Sequence, residues 1–243
     1  MIYLLLIVAT LVTSLISGVL SMAGGMILMG VFGFFLSVPA AMVLHGVAQA
    51  ISNGSRIWLY RHHIRWSVLV PYTIGALLVV GIFSWITLVP DKGLVFLLVG
   101  SFPVMALFLP KSVDLDMEKP PVAFSCGILV TTAQMLAGAS GPVLDIFYIK
   151  SSLTRHEILG TKAITQTLGH ILKLIYYAFF ISATTALPWY VFPAVIVAAI
   201  AGNWVGSKIV ERIDDNQFKL LGRRIILLIA LIYIGKGIAE YIG

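Results

Sequence analysis

Charged residues and cysteine are both scarce in this chain of 243 residues. Only 11% of the residues are Asp, Glu, Lys or Arg, whereas a soluble domain carries about 25%. The first of them along the chain is Arg56. Because 60% of the residues are hydrophobic, there is too little polar surface to enclose a soluble globule. We therefore predict an all-α polytopic membrane protein. The single cysteine, Cys126, excludes an intramolecular disulfide and a cysteine-built metal site.

The formal net charge of +6 does not indicate a nucleic-acid partner in a chain this apolar. Excess Lys and Arg in a membrane protein mostly marks cytoplasmic loops. The first 20 residues lack the basic start of a signal peptide, so we interpret them as a first membrane helix. The expected partners are the lipid bilayer and a small anionic substrate, with no nucleic acid and no cofactor.

The apolar segments fall into three groups by length, since a spanning helix needs about 20 residues. Full-length candidates are 4–22, 40–60, 67–89, 158–180, 188–208 and 224–242. Shorter candidates are 93–109 and 122–137, and two pieces too short to cross alone are 25–36 and 143–153. The pattern predicts about eight full crossings and two short segments.

The chain consists of two similar halves. A polar connector rich in proline separates them and predicts a first membrane repeat at 1–109, a cytoplasmic linker at 110–121 and a second membrane repeat at 122–243. At an offset of 117 positions, "SMAGG" aligns with "GASGP", and "HGVAQAISNGSR" aligns with "KAITQTLGHILK". Identical pairs at this offset are Gly24 and Gly141, Gln49 and Gln166, Tyr60 and Tyr177, and Pro71 and Pro188.

Loop charges indicate that the two repeats have opposite orientations. The loop 61–66 is basic but its equivalent, 178–183, is uncharged, and the loop 208–224 holds five basic residues. Since short basic loops face the cytoplasm, equivalent loops lie on opposite sides of the membrane. Inverted repeats need an odd number of segments per half, and five per half places both termini outside the cytoplasm. The alternative counts 4–36 and 122–153 as bent single crossings, which would make the repeats parallel.

Glycine-rich breaks occur at the same place in both halves. Ser21, Gly24 and Gly25 are predicted to end one helix and open a short one, and Gly141 and Pro142 do the same in the second half. A helix start exposes unpaired N–H groups that attract anions. Symmetric discontinuous helices are typical of a transporter's central site. The alternative is that these glycines only permit close helix packing.

A stripe of polar residues follows each break on one helix face. The stripes are His45, Gln49, Asn53 and Arg56 in the first half and Lys162, Gln166, His170 and Lys173 in the second. They combine cations with amide and imidazole groups and contain no carboxylate, a chemistry that suits a small oxyanion. We predict that Gln49 and Gln166 converge near the bilayer midplane. The alternative for Arg56, Lys162 and Lys173 is snorkelling to headgroups.

Asp145 is an isolated acid in the short second-half helix. Pairing with Lys162 or Lys173 explains it, and a role in proton coupling is the open alternative. His62 and His63 mark a basic surface, and a metal site there would need acidic or cysteine partners that the neighbourhood lacks.

The motifs "SMAGG" with "HGVAQAISNGSR", and "GASGP" with "TKAITQTLGHILK", resemble those of the TauE/SafE sulfite-exporter family. The resemblance implies a duplicated fold and a prokaryotic-type permease in the cytoplasmic membrane for anions such as sulfite and organosulfonates. It also implies a site formed by Ser21, Gly24, Gly25, Gln49, Asn53 and Arg56 together with Gly141, Pro142, Lys162, Gln166, His170 and Lys173.

Two other functions stay open. An anion channel would have a continuous pore, and an intramembrane enzyme would need a nucleophile with a base, which the apolar surroundings of Cys126 do not offer. The expected function is therefore transport without catalysis. The sequence leaves open whether the protein forms a homodimer.

Overall fold

The computed structural model describes residues 1–20, 23–108, 115–148, 151–181, 187–210 and 215–242. Within these ranges the chain is helical and has no strand, as the composition predicts. Its helices are α1 (Ile2–Leu20), α2 (Ala23–Phe35), α3 (Val38–Tyr60), α4 (Trp66–Ile86), α5 (Lys92–Leu107), α6 (Pro120–Ala137), α7 (Gly141–Ile146), α8 (Arg155–Ile175), α9 (Val191–Val210) and α10 (Asp215–Ile242). A 3-10 turn, Arg61–His63, follows α3, and the π-helical segment Tyr176–Phe180 extends α8.

Each helix coincides with a predicted apolar segment, with two clear differences in length. The helix α10 begins at Asp215, before the segment predicted at 224–242, and α7 is shorter than predicted. The segment expected at 143–153 forms a helix only to Ile146, and residues 151–154 are not helical. Residues 151–154 lead instead into α8, whose N-cap is Thr154. The Thr154 side chain and Glu157 form a reciprocal capping box, which satisfies backbone donors at the start of α8.

The first glycine-rich segment lies between two helices, as predicted. The helix α1 ends at Leu20, and Gly24 and Gly25 lie in the first turn of the short helix α2. Ser21, which was expected at the break, lies outside the described residues. In the second half, Gly138 ends α6 with a φ of 75°, a left-handed conformation that glycine adopts without strain. Pro142 occupies the first turn of α7, as predicted.

Helices of the two halves pack mainly against each other. The most extensive contacts join α1 to α9, α5 to α10, α3 to α8 and α4 to α6. Under the predicted repeat, the α1–α9 pair is equivalent to the α6–α4 pair, and the other two pairs join equivalent helices. The core is therefore shared by both halves.

Three described helical segments are long and apolar enough to cross a membrane: Trp66–Ile86, Pro120–Ala137 and Arg224–Ile242. Large apolar side chains such as Leu77 on α4 and Leu231 on α10 point outward and are more than half exposed. Exposed tryptophans such as Trp66 and Trp85 lie at the two ends of α4. This distribution is typical of a lipid-facing surface with aromatic residues near the headgroups.

Candidate functional site

A cavity lies where α2, α3, α6, α7 and α8 meet. It contains about 310 Å³ of space free of protein atoms, counting the part open to solvent. Its lining residues are Gly25, Met26, His45, Gln49, Asn53, Gln134, Ala139, Ser140, Gly141, Gln166 and His170. The cavity therefore collects residues from both polar stripes and from both glycine-rich segments.

The lining is polar, yet it has no carboxylate, lysine or arginine among the described residues. Four amide side chains and two imidazoles provide most of its polar atoms. Amides and neutral imidazoles each present N–H donors. A site of this composition can hydrogen-bond an anion without opposing it with negative charge.

Gln49 lines this cavity with an amide N–H donor that forms no hydrogen bond within the described residues. Its side chain is only 3% accessible, and its Nε2 atom has no hydrogen-bond partner among the described residues. Buried donors in proteins are nearly always paired, by protein or by water, so this amide is available to a bound group. Gln166, its equivalent in the second half, lines the same cavity. The identical glutamines thus face one space from different halves.

Gln134 is a lining residue that the sequence interpretation missed. The hydroxyl of Ser140 donates to Oε1 of Gln134, which turns Nε2 of Gln134 toward Nδ1 of His170 at 2.6 Å. The same Nε2 atom of Gln134 lies 3.3 Å from Nε2 of His170, so the amide donates to one of the two ring nitrogens, and Nδ1 is the nearer. The single amide in the predicted membrane segment 122–137 was the sequence signal that could have identified Gln134.

His45 and Lys173 connect the two glycine-rich segments. Nε2 of His45 lies 2.8 Å from the carbonyl oxygen of Gly25, so this nitrogen donates. Nδ1 of His45 then accepts from Nζ of Lys173 at 2.9 Å, and Nζ also donates to the carbonyl oxygen of Gly138 at 2.8 Å. The rings of His45 and His170 are 5.4 Å apart. Through His45 and Lys173, these hydrogen bonds link the carbonyl oxygen of Gly25 to that of Gly138. They therefore hold the backbone on both sides of the cavity.

The three predicted cations do not line the cavity. Lys162 forms an ion pair with Asp145, which is the pairing expected for that isolated acid. Arg56 donates to Oδ1 of Asn53, and Lys173 bonds to His45 and Gly138 as described. Arg56 and Lys173 each bond to a residue of the lining, Asn53 and His45. Lys162 and Lys173 are paired with groups outside α8, which helix periodicity does not encode, whereas Arg56 bonds Asn53 three residues earlier on α3.

The glycines of α2 have different surroundings. A Cβ atom on Gly24 would collide with the carbonyl oxygen of Thr13 and with Ser17 on α1, so Gly24 permits close packing of α1 and α2. A Cβ atom on Gly25 would lie 3.2 Å from Oε1 of Gln49. Gly25 and Gly141 line the cavity, whereas Pro142 is buried in the first turn of α7.

The described residues contain no group of three His, Cys, Asp or Glu side chains that could hold a metal ion. The family model described as sulfite exporter TauE/SafE matches residues 5–234 of the chain. No curated protein and no solved structure shows significant similarity to it.

Proposed function

This chain belongs to the sulfite exporter TauE/SafE family, and we propose that it is a secondary permease for small sulfur-containing oxyanions such as sulfite or organosulfonates. The family is one of membrane transporters. The proposed binding site is the cavity lined by Gln49, Gln166 and His170. The proposed location is the cytoplasmic membrane, which the chain crosses several times.

The buried, unpaired amide of Gln49 is the observation that carries this proposal. An oxyanion with three or four acceptor oxygens would take N–H bonds from the amide of Gln49 and from the ring N–H of His170. Gly25 supports the same assignment, because the absence of a side chain there leaves room beside Gln49. Arg56 would attract the anion through Asn53, to which it is bonded.

The packing of the halves supports inverted repeats and transport by alternating access. The α1–α9 contact has its counterpart in α6–α4, and the α2–α10 contact has its counterpart in α7–α5. Such exchange of equivalent partners is expected when a two-fold axis relates the halves. On this proposal the cavity lies near that axis, and rocking of the halves exposes it to either side of the membrane.

Purified protein in detergent tests the binding function. Addition of sulfite, sulfate, thiosulfate, taurine or sulfoacetate should raise the unfolding temperature for those anions that bind. We expect sulfite to stabilise the wild-type protein, and Gln49→Leu to lower sulfite affinity by about 5- to 150-fold, because each lost bond costs about 1–3 kcal/mol. The matched control is Thr167→Val on α8, where the hydroxyl bonds its own helix at Ala163.

Reconstituted vesicles separate a carrier from the channel alternative. Unlabelled sulfite on the far side should accelerate entry of labelled sulfite through a carrier, whereas a channel shows no such counterflow. Absence of stabilisation by every anion of the panel, or equal affinity in Gln49→Leu and Thr167→Val, would contradict the proposed site.

A further inference from the structure

Lys173 is a fully buried lysine without an acidic partner. Its relative accessibility is 0%, and it lies on α8 one turn beyond the cavity-lining His170. Among the described residues, no carboxylate oxygen lies within 4.0 Å of Nζ of Lys173. Asp145, the acidic residue of α7, is paired with Lys162 instead. A buried ammonium is costly unless it has a countercharge.

The elements packed around Lys173 do not supply negative charge. The helices α2, α4 and α6 contain no Asp, Glu, Lys, Arg or His at all. The helix α3 contributes His45 and Arg56, and the turn Arg61–His63 contributes three basic residues. The helix α8 itself contributes Arg155, His156, Glu157, Lys162 and His170. The one carboxylate among these groups, Glu157, lies at the opposite end of α8 from Lys173 and is paired with Arg65. The remaining titratable or charged groups are neutral or positive, apart from tyrosines and Cys126.

The hydrogen bonds of Lys173 match an uncharged amine. Nζ has two acceptors, Nδ1 of His45 and the carbonyl oxygen of Gly138. An uncharged amine has two N–H groups, whereas an ammonium has three. The third hydrogen of an ammonium has no acceptor in the part of the chain that the structure describes.

Resting on the proposed function, we propose that Lys173 is the proton-binding site that couples movement of the anion to movement of a proton. An anion in the cavity supplies the missing countercharge through His45, which contacts both the cavity and Nζ. Proton binding and anion binding therefore favour each other, and by linkage the effect is reciprocal. During transport, the anion and one proton bound to the Lys173 amine cross the membrane together. The charge moved is therefore one unit more positive than the charge of the anion alone.

Titration calorimetry of sulfite binding tests this inference. The number of protons taken up is obtained from the binding enthalpy in two buffers with different ionisation enthalpies. Because sulfite itself exchanges a proton near neutral pH, the variants are also compared with sulfoacetate, which is fully ionised there. We expect the wild type to take up about one proton more than Lys173→Met for each anion bound. Lys173→Met should also bind sulfite about 5- to 150-fold more weakly.

Lys173→Arg separates charge from protonation. Arginine stays protonated at all working pH values, so this variant should bind sulfite without the extra proton. The control Lys236→Met removes a lysine that is paired with Glu240 on α10, and its proton uptake should equal that of the wild type. Gel filtration and helical circular dichroism establish that each variant is folded.

The outcomes distinguish this inference from the proposed function. If the wild type fails to bind sulfite, both are wrong. If it binds sulfite but Lys173→Arg takes up as many protons as the wild type, the permease proposal stands and the role of Lys173 is wrong.

Discussion

The Nε2 atom of Gln134 on α6 lies 2.6 Å from the Nδ1 atom of His170 on α8. Both side chains are buried, and Ser140 fixes the orientation of the amide from the other side. Gln134 therefore orients the imidazole, which accepts the amide N–H at one of its ring nitrogens. The orientation of a proposed binding group thus depends on an amide from a different helix.

Gln134→Leu should weaken sulfite binding while the protein remains folded. The substitution leaves Nδ1 of His170 and the hydroxyl of Ser140 without their partner. A buried polar group without a partner costs about 1–3 kcal/mol, and loss of the fixed orientation of His170 should reduce affinity by about 5- to 150-fold. Calorimetric affinity is the measurement. Ser125→Ala on the same helix, where the exposed hydroxyl bonds Pro121, is the control and should bind as the wild type does.

Two adjacent glycines on α2 should respond differently to alanine. In Gly24→Ala the new methyl group meets backbone atoms of α1, including the amide nitrogen of Ser17 at 2.8 Å, so we expect destabilisation by about 1–3 kcal/mol. In Gly25→Ala it meets only the flexible side chain of Gln49, so we expect near-normal stability but weaker sulfite binding. Thermal unfolding and affinity, measured on both variants, test this. The reverse pattern would assign Gly25 to packing and Gly24 to the site.

Asp91 caps α5 and should make stability depend on pH. The pKa of its carboxyl is lowered because the backbone N–H of Leu94 and then the hydroxyl of Tyr241 donate to it. A lowered pKa means that the stabilisation is present at neutral pH and is lost as the pH falls below about 4 through the folded-state value. Asp91→Ala should cost about 1 kcal/mol at pH 7.

Asp91→Asn is the matched control for this cap. Asparagine keeps an acceptor for Leu94 but has no carboxyl to titrate, so this variant should retain most of the stability at pH 7 and lose part of the decline in acid. A decline in unfolding temperature identical to that of the wild type would show that other groups cause the acid sensitivity.

The loop at 61–66 is predicted to face the cytoplasm. His63→Cys should react with a membrane-impermeant thiol reagent in inverted vesicles but not in sealed cells. Trp85→Cys, at the other end of α4, should show the opposite accessibility. The native Cys126 is buried, so it should not react with the thiol reagent. Reaction of position 63 from the outside of sealed cells would reverse the proposed orientation.

Helix positions were predictable because they depend on local properties. The predicted apolar segments 40–60 and 122–137 are close in length to α3 and α6. Pro142 lies in the first turn of α7, a position that proline favours because its missing N–H would have no partner within the helix. Gln49 and Gln166 line the same cavity, as the sequence predicts. Their equivalence follows from the internal offset, and their position on one helix face follows from helix periodicity. The length of α7 was overestimated because apolar composition alone does not locate the residue at which a short helix ends.

The sequence alone identifies a helical membrane protein with polar stripes on α3 and α8, and it predicts that the chain consists of two related halves. Composition and periodicity suffice for that, because burial in lipid forces the backbone into helices. Only the tertiary structure decided which polar groups share the cavity and which are used elsewhere. Lys162 pairs with Asp145, Gln134 joins His170, and Lys173 bonds to His45 across the two halves. Such partners are far apart along the chain, and their pairing depends on helix packing geometry that no single segment specifies.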